Sequence, residues 1–351
     1  MKQLTSLGAL VIAATVAIIH GQAQTASGTL LAVIRGDAMG PALAFIDPDA
    51  GTIGARVPLG PEPHIVDVSA DGTLAFVVNT NDDSRTPDGD TISVIDLTAR
   101  KEIRRVPTGE GSKPHDLHVV GGKVYFAIDG YRAVGRYDPA RNRMDWMLGL
   151  GQRGPHMIAV SRDQNVLIGP NSDSNNVSIV TGLAKGPTGW DVTQLPMREA
   201  PEAVDISPDG RAAWVSNEGV GGVSIIDIAK KAIIQDVPLK TTHANRLHFT
   251  ADGRRVVLVD RHTAELVIVD AASRTLLRKV LMPDSVPVSP KFPNRIYDVV
   301  VTPDGSRAYV AVNGAPGRSY IGVVDMNTFA LMRRIDTVAT ADGMAWVQPK
   351  R

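Results

Sequence analysis

The sequence predicts an all-β protein, a seven-bladed β-propeller of four-stranded blades. Three observations lead there. A segment recurs about every 41 to 52 residues. Within each copy apolar residues alternate with period two and β-branched residues dominate. The two ends carry half-repeats that complete one another. The clearest copy runs from Glu202 to Ile228: "EAVDIS", then Pro208-Asp209-Gly210, then "RAAWVSN" to Asn217, then "GVSIIDI" with Asp227. Other copies span His64 to Leu97, Asn245 to Ala271 and Tyr297 to Met326.

Each predicted blade follows from this pattern. Strand A is the apolar run before Asp-Gly, and a tight turn leads to strand B. Eight positions before the turn Asp, or its equivalent, stand Pro63, Pro114, Pro155, Pro201, Ala244 and Ile296, so these open six copies of strand A. Strand B is expected to end at Asn79, Asp129, Asn171, Asn217, Asp260 and Asn313. Strand C reads "ISVID", "NVSIV", "VSIID", "LVIVD" or "IGVVD", and strand D reads "KEIRRV", "AIIQDV", "TLLRKV" or "ALMRRI". The C-terminus stops after one strand, Met344 to Val347. The N-terminal strands, Thr29 to Arg35, Ala42 to Asp47 and Thr52 to Leu59, lack that first one. A last blade shared by both termini closes the ring and removes free sheet edges. A two-sheet sandwich would need neither the fixed period nor complementary ends.

The first residues read as an export signal. Lys2 is followed by an uncharged apolar run, Leu4 to Ile19, and Gly21-Gln22-Ala23 offers small residues at a cleavage site. The run is shorter than the ~20 residues of a spanning helix. The expected division is a signal peptide over 1–23 and a single propeller over 24–351, exported to a bacterial periplasm or secreted, monomeric and without a membrane span. The chain has no cysteine, so the core alone must hold it. That also excludes thiol catalysis, Cys-ligated zinc, iron–sulfur clusters and covalent haem. The 37 basic and 37 acidic residues balance with no basic run, so no nucleic-acid partner is expected.

With "LAFVVN" to Asn79, "AAWVSN" to Asn217 and "AYVAVN" to Asn313, each between an Asp-Gly turn and a "VSVID"-type strand, the chain resembles the YVTN (YncE-like) β-propeller repeat family. The second and third copies depart from the pattern. Similar-looking relatives are the lactonase-type propellers and the β chains of periplasmic amine dehydrogenases. The resemblance implies that loops entering strand A and loops joining B to C lie on one face, around the mouth of a central channel.

That geometry places the candidate site. His64, His115 and His156 each follow the Pro that opens strand A. Glu202, Asn245, Tyr297 and Asp342 match them in the other blades, His243 precedes the fifth opening, and His262 falls in a B–C loop. Neighbouring equivalents are expected about 7 Å apart. Three imidazoles from adjacent blades, His64, His115 and His156, are then candidate ligands of a divalent metal, with Glu202 or Asp342 completing the shell. Solvent-lining or capping imidazoles are the plain alternative. His118 and His248 sit inside strand A and are expected to pack between blades. Asn81, Asp82, Asp83, Asp88 and Asp90, and Asn171 to Asn176, are oxygen-rich loops that calcium or ordinary turn chemistry would explain. The loops after Pro283 and around Arg318 are candidate partner contacts. No Gly-x-Ser-x-Gly elbow or phosphate-cradling Gly loop is readable.

Three functions follow in order. The first is a binding or scaffold propeller that takes a small molecule or envelope partner on the mouth face. The second is a lactonase-like or lyase-like enzyme with a His-lined, metal-assisted mouth, carried by the Pro-His segments "GPEPHIVDVSADG" and "RGPHMIAVSRDQ". The third is an accessory subunit of a periplasmic redox system.

Overall fold

The protein is a seven-bladed β-propeller. The computed structural model describes residues 28–36, 38–80, 89–290 and 293–349; the predicted signal peptide lies outside them. The 28 strands fall into seven antiparallel four-stranded sheets, and the described residues include no α-helix, only three three-residue 3-10 turns. Blade 1 is β4–β7 (Pro63–Val68, Leu74–Asn79, Thr91–Asp96, Lys101–Pro107), and blades 2 to 6 follow in order. Blade 7 joins the ends: β28 (Ala341–Val347) pairs with β1 (Thr29–Ile34), with Thr29 opposite Val347, and β2 (Ala42–Asp47) and β3 (Thr52–Pro58) complete the sheet. This is the closure expected from the half-repeats.

The repeat residues are explained by local bonds. In the A–B turn Ser69 Oγ donates to Asp71, whose carboxylate accepts the Thr73 amide, and Gly72 takes a left-handed φ of 63°. Ser207–Asp209 and Thr250–Asp252 repeat the bond. The strand-B asparagines are buried ties to strand C: Asn79 Nδ2 donates to Ser93 Oγ, Asn171 to Ser178 and Asn217 to Ser224. The Asp ending strand C caps the C–D turn, as Asp96 does by accepting the Thr98 and Ala99 amides. Two expected strand ends shift by one: β9 (Lys123–Ile128) and β25 (Arg307–Val312) stop before Asp129 and Asn313, which start the mouth loops.

The core lies between blades. Seven apolar clusters fill the seven blade–blade interfaces. One joins Phe76, Val78 and Val94 of blade 1 to Leu117, Val124 and Phe126 of blade 2, and another joins Leu31, Val33 and Phe45 of blade 7 to Val66 and Val77 of blade 1. Successive side chains of a strand point to opposite sheet faces, so each blade buries both.

Every inner strand breaks register at one level. The ladder slips between Pro63 and Val66, Pro114 and Leu117, Pro201 and Val204, Asn245 and His248, and Ile296 and Val299. In β28 the slip lies between Ala341 and Met344, opposite Ile34 and Ala32. In blade 3 only Pro155–Asn171 bridges before pairing resumes at Ala159. A bulge re-aims side chains. Here it turns the residue after the strand opening toward the mouth and the next one into the channel.

Candidate functional site

The bulges gather the predicted ring. His64, His115 and His156 adjoin: the His64 and His115 ring centroids lie 4.3 Å apart edge-on, and those of His115 and His156 lie 4.6 Å apart and stacked. They are closer than the expected spacing. His64 also meets Asp342, its Nδ1 2.6 Å from Oδ2, because Gly343 lets β28 run against β4: a Cβ at Gly343 would stand 2.5 Å from the His64 carbonyl oxygen. Arg35 Nη1 donates to the same carboxylate oxygen at 3.0 Å.

The centre of this cluster is Arg246. It follows Asn245 in β20 (Ala244–Phe249), is 1% exposed and carries a left-handed φ of 47°. A bulky side chain held there is strained, and such strain concentrates at functional sites. Its Nη2 stands 3.3 Å from His64 Nε2 and 3.8 Å from Asp342 Oδ1, and its Nη1 reaches Met157 Sδ at 3.6 Å. A guanidinium only donates, so His64 Nε2 must accept, and Nδ1–H donates to Asp342. His64 is therefore neutral. Burial pushes its pKa down and the Arg246 charge adds to this, despite Asp342. Burial would raise Asp342, but His64, Arg35 and Arg246 hold it well below the usual carboxylate range.

His115, between the other two, is held well below the ordinary imidazole value, by burial first and then by its neighbours. Its buried Nδ1 has no hydrogen-bond partner among the described residues. His156 is the opposite case. Its Nδ1 lies 3.3 Å from Glu202 Oε1 and its Nε2 3.7 Å from Asp129 Oδ2. Burial disfavours its charge, yet the two carboxylates raise it well above normal, and Glu202 falls to about 2 against its own burial. Two adjacent imidazoles thus hold opposite protonation states.

The remaining ring residues form a second group. His243 Nε2 is 2.9 Å from Glu218 Oε1, Asn245 Nδ2 donates to the same oxygen, and His262 stacks on His243 at 4.2 Å. Burial and His243 lower His262. Arg261 lies over the Tyr297 ring at 5.7 Å. The Nε atoms of Arg246 and Arg261 are both buried without a hydrogen-bond partner among the described residues.

The three histidines do not fit a metal. Two of the rings are stacked, so their nitrogens do not converge. Both nitrogens of His64 and of His156 face other groups, and a guanidinium stands where a cation would meet His64 Nε2. Among the described residues no group of three His, Cys, Asp or Glu side chains is placed to hold a metal ion. Of the oxygen-rich loops, 81–88 lies outside the described residues, and Asp90 accepts the Gly111 and Lys113 amides. Asn171 and Asn176 bond to each other, and Asn176 Nδ2 to Gln152.

Arg246, Arg35, Arg261 and Glu218 escaped the sequence reading. The last three share one column, the residue after strand B, and Arg246 lies one place beyond the aligned ring. The column after strand B, with Arg35, Thr80, Ser172, Glu218 and Arg261, was the available signal for those three; the column of Arg246 is mixed and offered none.

His118 and His248 differ from expectation too. They line a cavity of about 410 Å³ in the far half of the channel, with Asp67, Asp116, Asp205 and Asp298. These four carboxylates accept backbone N–H groups of the next blade: Val119 at 2.7 Å, Ile158 at 2.9 Å, Phe249 at 2.8 Å and Met344 at 2.7 Å. Burial raises Asp298 to about 6. His118 reaches about 9 because Asp116 foremost, then Asp67 and Asp205, outweigh burial. Burial and the charge on His118 push His248 down to about 4.

Solved structures share the architecture. Hydrazine synthase of Kuenenia stuttgartiensis superposes with a TM-score of 0.66 at 18% identity, over 81% of this chain and 89% of that one. A candidate 6-phosphogluconolactonase of Bacteroides fragilis gives 0.69 at 16%, over 93% and 99%. A streptogramin B lyase gives 0.64 at 14%, over 82% and 87%. At such identities the likeness is to the fold alone. No family model matches the chain, and no curated protein matches it.

Proposed function

We propose that this is an exported β-propeller that binds a small organic anion at the channel mouth. The observation that carries the reading is a set of buried nitrogens without partners among the described ring residues: Nε of Arg246, whose guanidinium adjoins His64, Nε of Arg261, whose guanidinium lies over Tyr297, and Nδ1 of His115. Buried polar atoms left without partners are rare in folded proteins. Two guanidinium groups supply the forked donors that carboxylates and phosphates match. Placement with the YVTN-type propellers is supported by the Asp-Gly, strand-B Asn and strand-C Asp repeats. Export to the periplasm or medium is supported by Lys2 and the apolar run from Leu4 to Ile19.

Isothermal titration with acetate, pyruvate and inorganic phosphate tests the reading. At least one should bind, and Arg246→Met should weaken it at least about tenfold, a loss of ~1.4 kcal/mol, while the fold survives. Binding that ignores the substitution, or none of the three binding, refutes it.

His115 favours a second reading, a lyase or lactone-opening enzyme. A neutral, buried imidazole with a free nitrogen is a usable proton acceptor. Beside Arg246 it would take a proton α to a carboxylate or carbonyl while the guanidinium steadies the charge left on oxygen. Turnover of a lactone panel that collapses in His115→Ala would select this reading.

A further inference from the structure

Three loop segments border a second space on the mouth face: residues 282–290 after β23 (Thr275–Leu281), residues 313–318 after β25, and residues 338–340 before β28. They bound a cavity of about 570 Å³, within the range of small-molecule sites. Two of these loops are the ones marked in the sequence after Pro283 and around Arg318.

One side of this cavity is the ring itself: Arg35, Tyr297 and Asp342 line it. The rest of the lining mixes the apolar Val286, Pro287, Val288, Pro316 and Val338 with the polar Asn313, Ser319 and Thr340. Val288 and Val338 are 50% and 60% exposed. Single exposed apolar side chains are ordinary. Here two face one cavity that opens onto charged groups. The wall is also fixed in place. Val286 and Asn313 exchange backbone N–H and side-chain bonds, Arg295 Nη1 donates to the Ser285 carbonyl at 2.8 Å, and the Tyr320 hydroxyl donates to the Pro283 carbonyl. A wall fixed before binding lowers the ordering cost of holding a ligand.

We infer that the mouth ligand is amphiphilic, a medium-chain organic anion whose charged end meets the Arg246 and Arg261 centre and whose apolar arm lies in the cavity between Val288 and Val338. This rests on the anion reading of the mouth. The cavity adds the ligand's second half, because an inorganic or two-carbon anion would leave these side chains in water.

Titration of the purified protein with butanoate and octanoate tests the arm. Burying a methylene strengthens binding about fourfold, so octanoate should bind at least tenfold tighter than butanoate. Val338→Asp, and independently Val288→Asp, should cut that advantage to less than about threefold and leave butanoate unchanged. Both positions are exposed loop residues, so folding is expected to persist, and far-ultraviolet circular dichroism checks it. Equal binding of both acids, each dependent on Arg246, overturns the arm and keeps the mouth. A chain-length gain that neither valine variant reduces also overturns it. Failure of both acids to bind, or binding indifferent to Arg246→Met, overturns arm and mouth together.

Discussion

The two ends of the central channel are built from the same seven strands and are both polar, yet their polar groups have different fates. At the far end the carboxylates are committed. Asp205 accepts the Phe249 amide of the next blade through one oxygen and the Ile206 amide through the other, and Asp67 and Asp298 repeat this arrangement. These are struts between blades. At the mouth His115 Nδ1 and the Nε atoms of Arg246 and Arg261 are buried without such partners among the described residues. The lesson is that polarity along a propeller channel does not mark a site. What distinguishes the mouth from the far end of the channel is buried donor and acceptor capacity that the fold leaves unspent.

The largest test removes both ends at once. β28 brings Asp342 to the mouth and the Met344 amide to Asp298 at the far end. Deleting 341–351 exposes the edges of β1 and of the blade 1 and blade 6 faces that β28 covers. Loss of a single cooperative transition in thermal unfolding, with aggregation, is expected. An unchanged melting temperature would show that ring closure contributes little to stability.

A smaller test separates the ends. Asp205→Ala strands the Phe249 amide and should cost about 1–3 kcal/mol in denaturant unfolding, the usual effect of an unsatisfied buried donor, while anion binding stays intact. Arg246→Met should abolish anion binding; it also takes one charged partner from the buried Asp342, which keeps Arg35 and His64, so a stability cost accompanies the binding loss. If both substitutions reduce stability and binding alike, the division of labour between the two ends is wrong.

How much of this was legible in the sequence depends on periodicity. The blades and their closure were, because Asp-Gly turns, strand-B asparagines and strand-C aspartates each satisfy a local bond that every blade must make. The ring of His64, His115, His156, Glu202, Asn245, Tyr297 and Asp342 was legible as a column. Arg246 was not, since the bulge turns two consecutive side chains inward and alignment on one column sees only the first. Nor was the far end: Asp67 and Asp205 stand four places after their strand openings, but Asp116 and Asp298 stand two after theirs. One function is thus split over two columns. The split in protonation between His115 and His156 depends on Asp129 and Glu202, which come from different blades and meet only in the folded ring.

The smallest effect is the part of the pH dependence that His118 carries at the far end, beside that of His156 at the mouth, whose pKa is also raised. His118 titrates near 9 in the fold, against about 6.5 unfolded. A folded pKa above the unfolded one means that the fold holds a proton the open chain releases. This contribution is complete below about pH 6.5 and disappears as pH rises through 9. Partial solvent access to the side chain trims it to roughly 1–2 kcal/mol. Unfolding free energies at pH 6 and pH 9 should therefore differ more in the wild type than in His118→Gln. Depressed as it is, His115 stays neutral over the same range, so its part in anion binding should not change with it. A variant whose stability falls between those pH values as steeply as the wild type's would place the titrating group elsewhere than at His118.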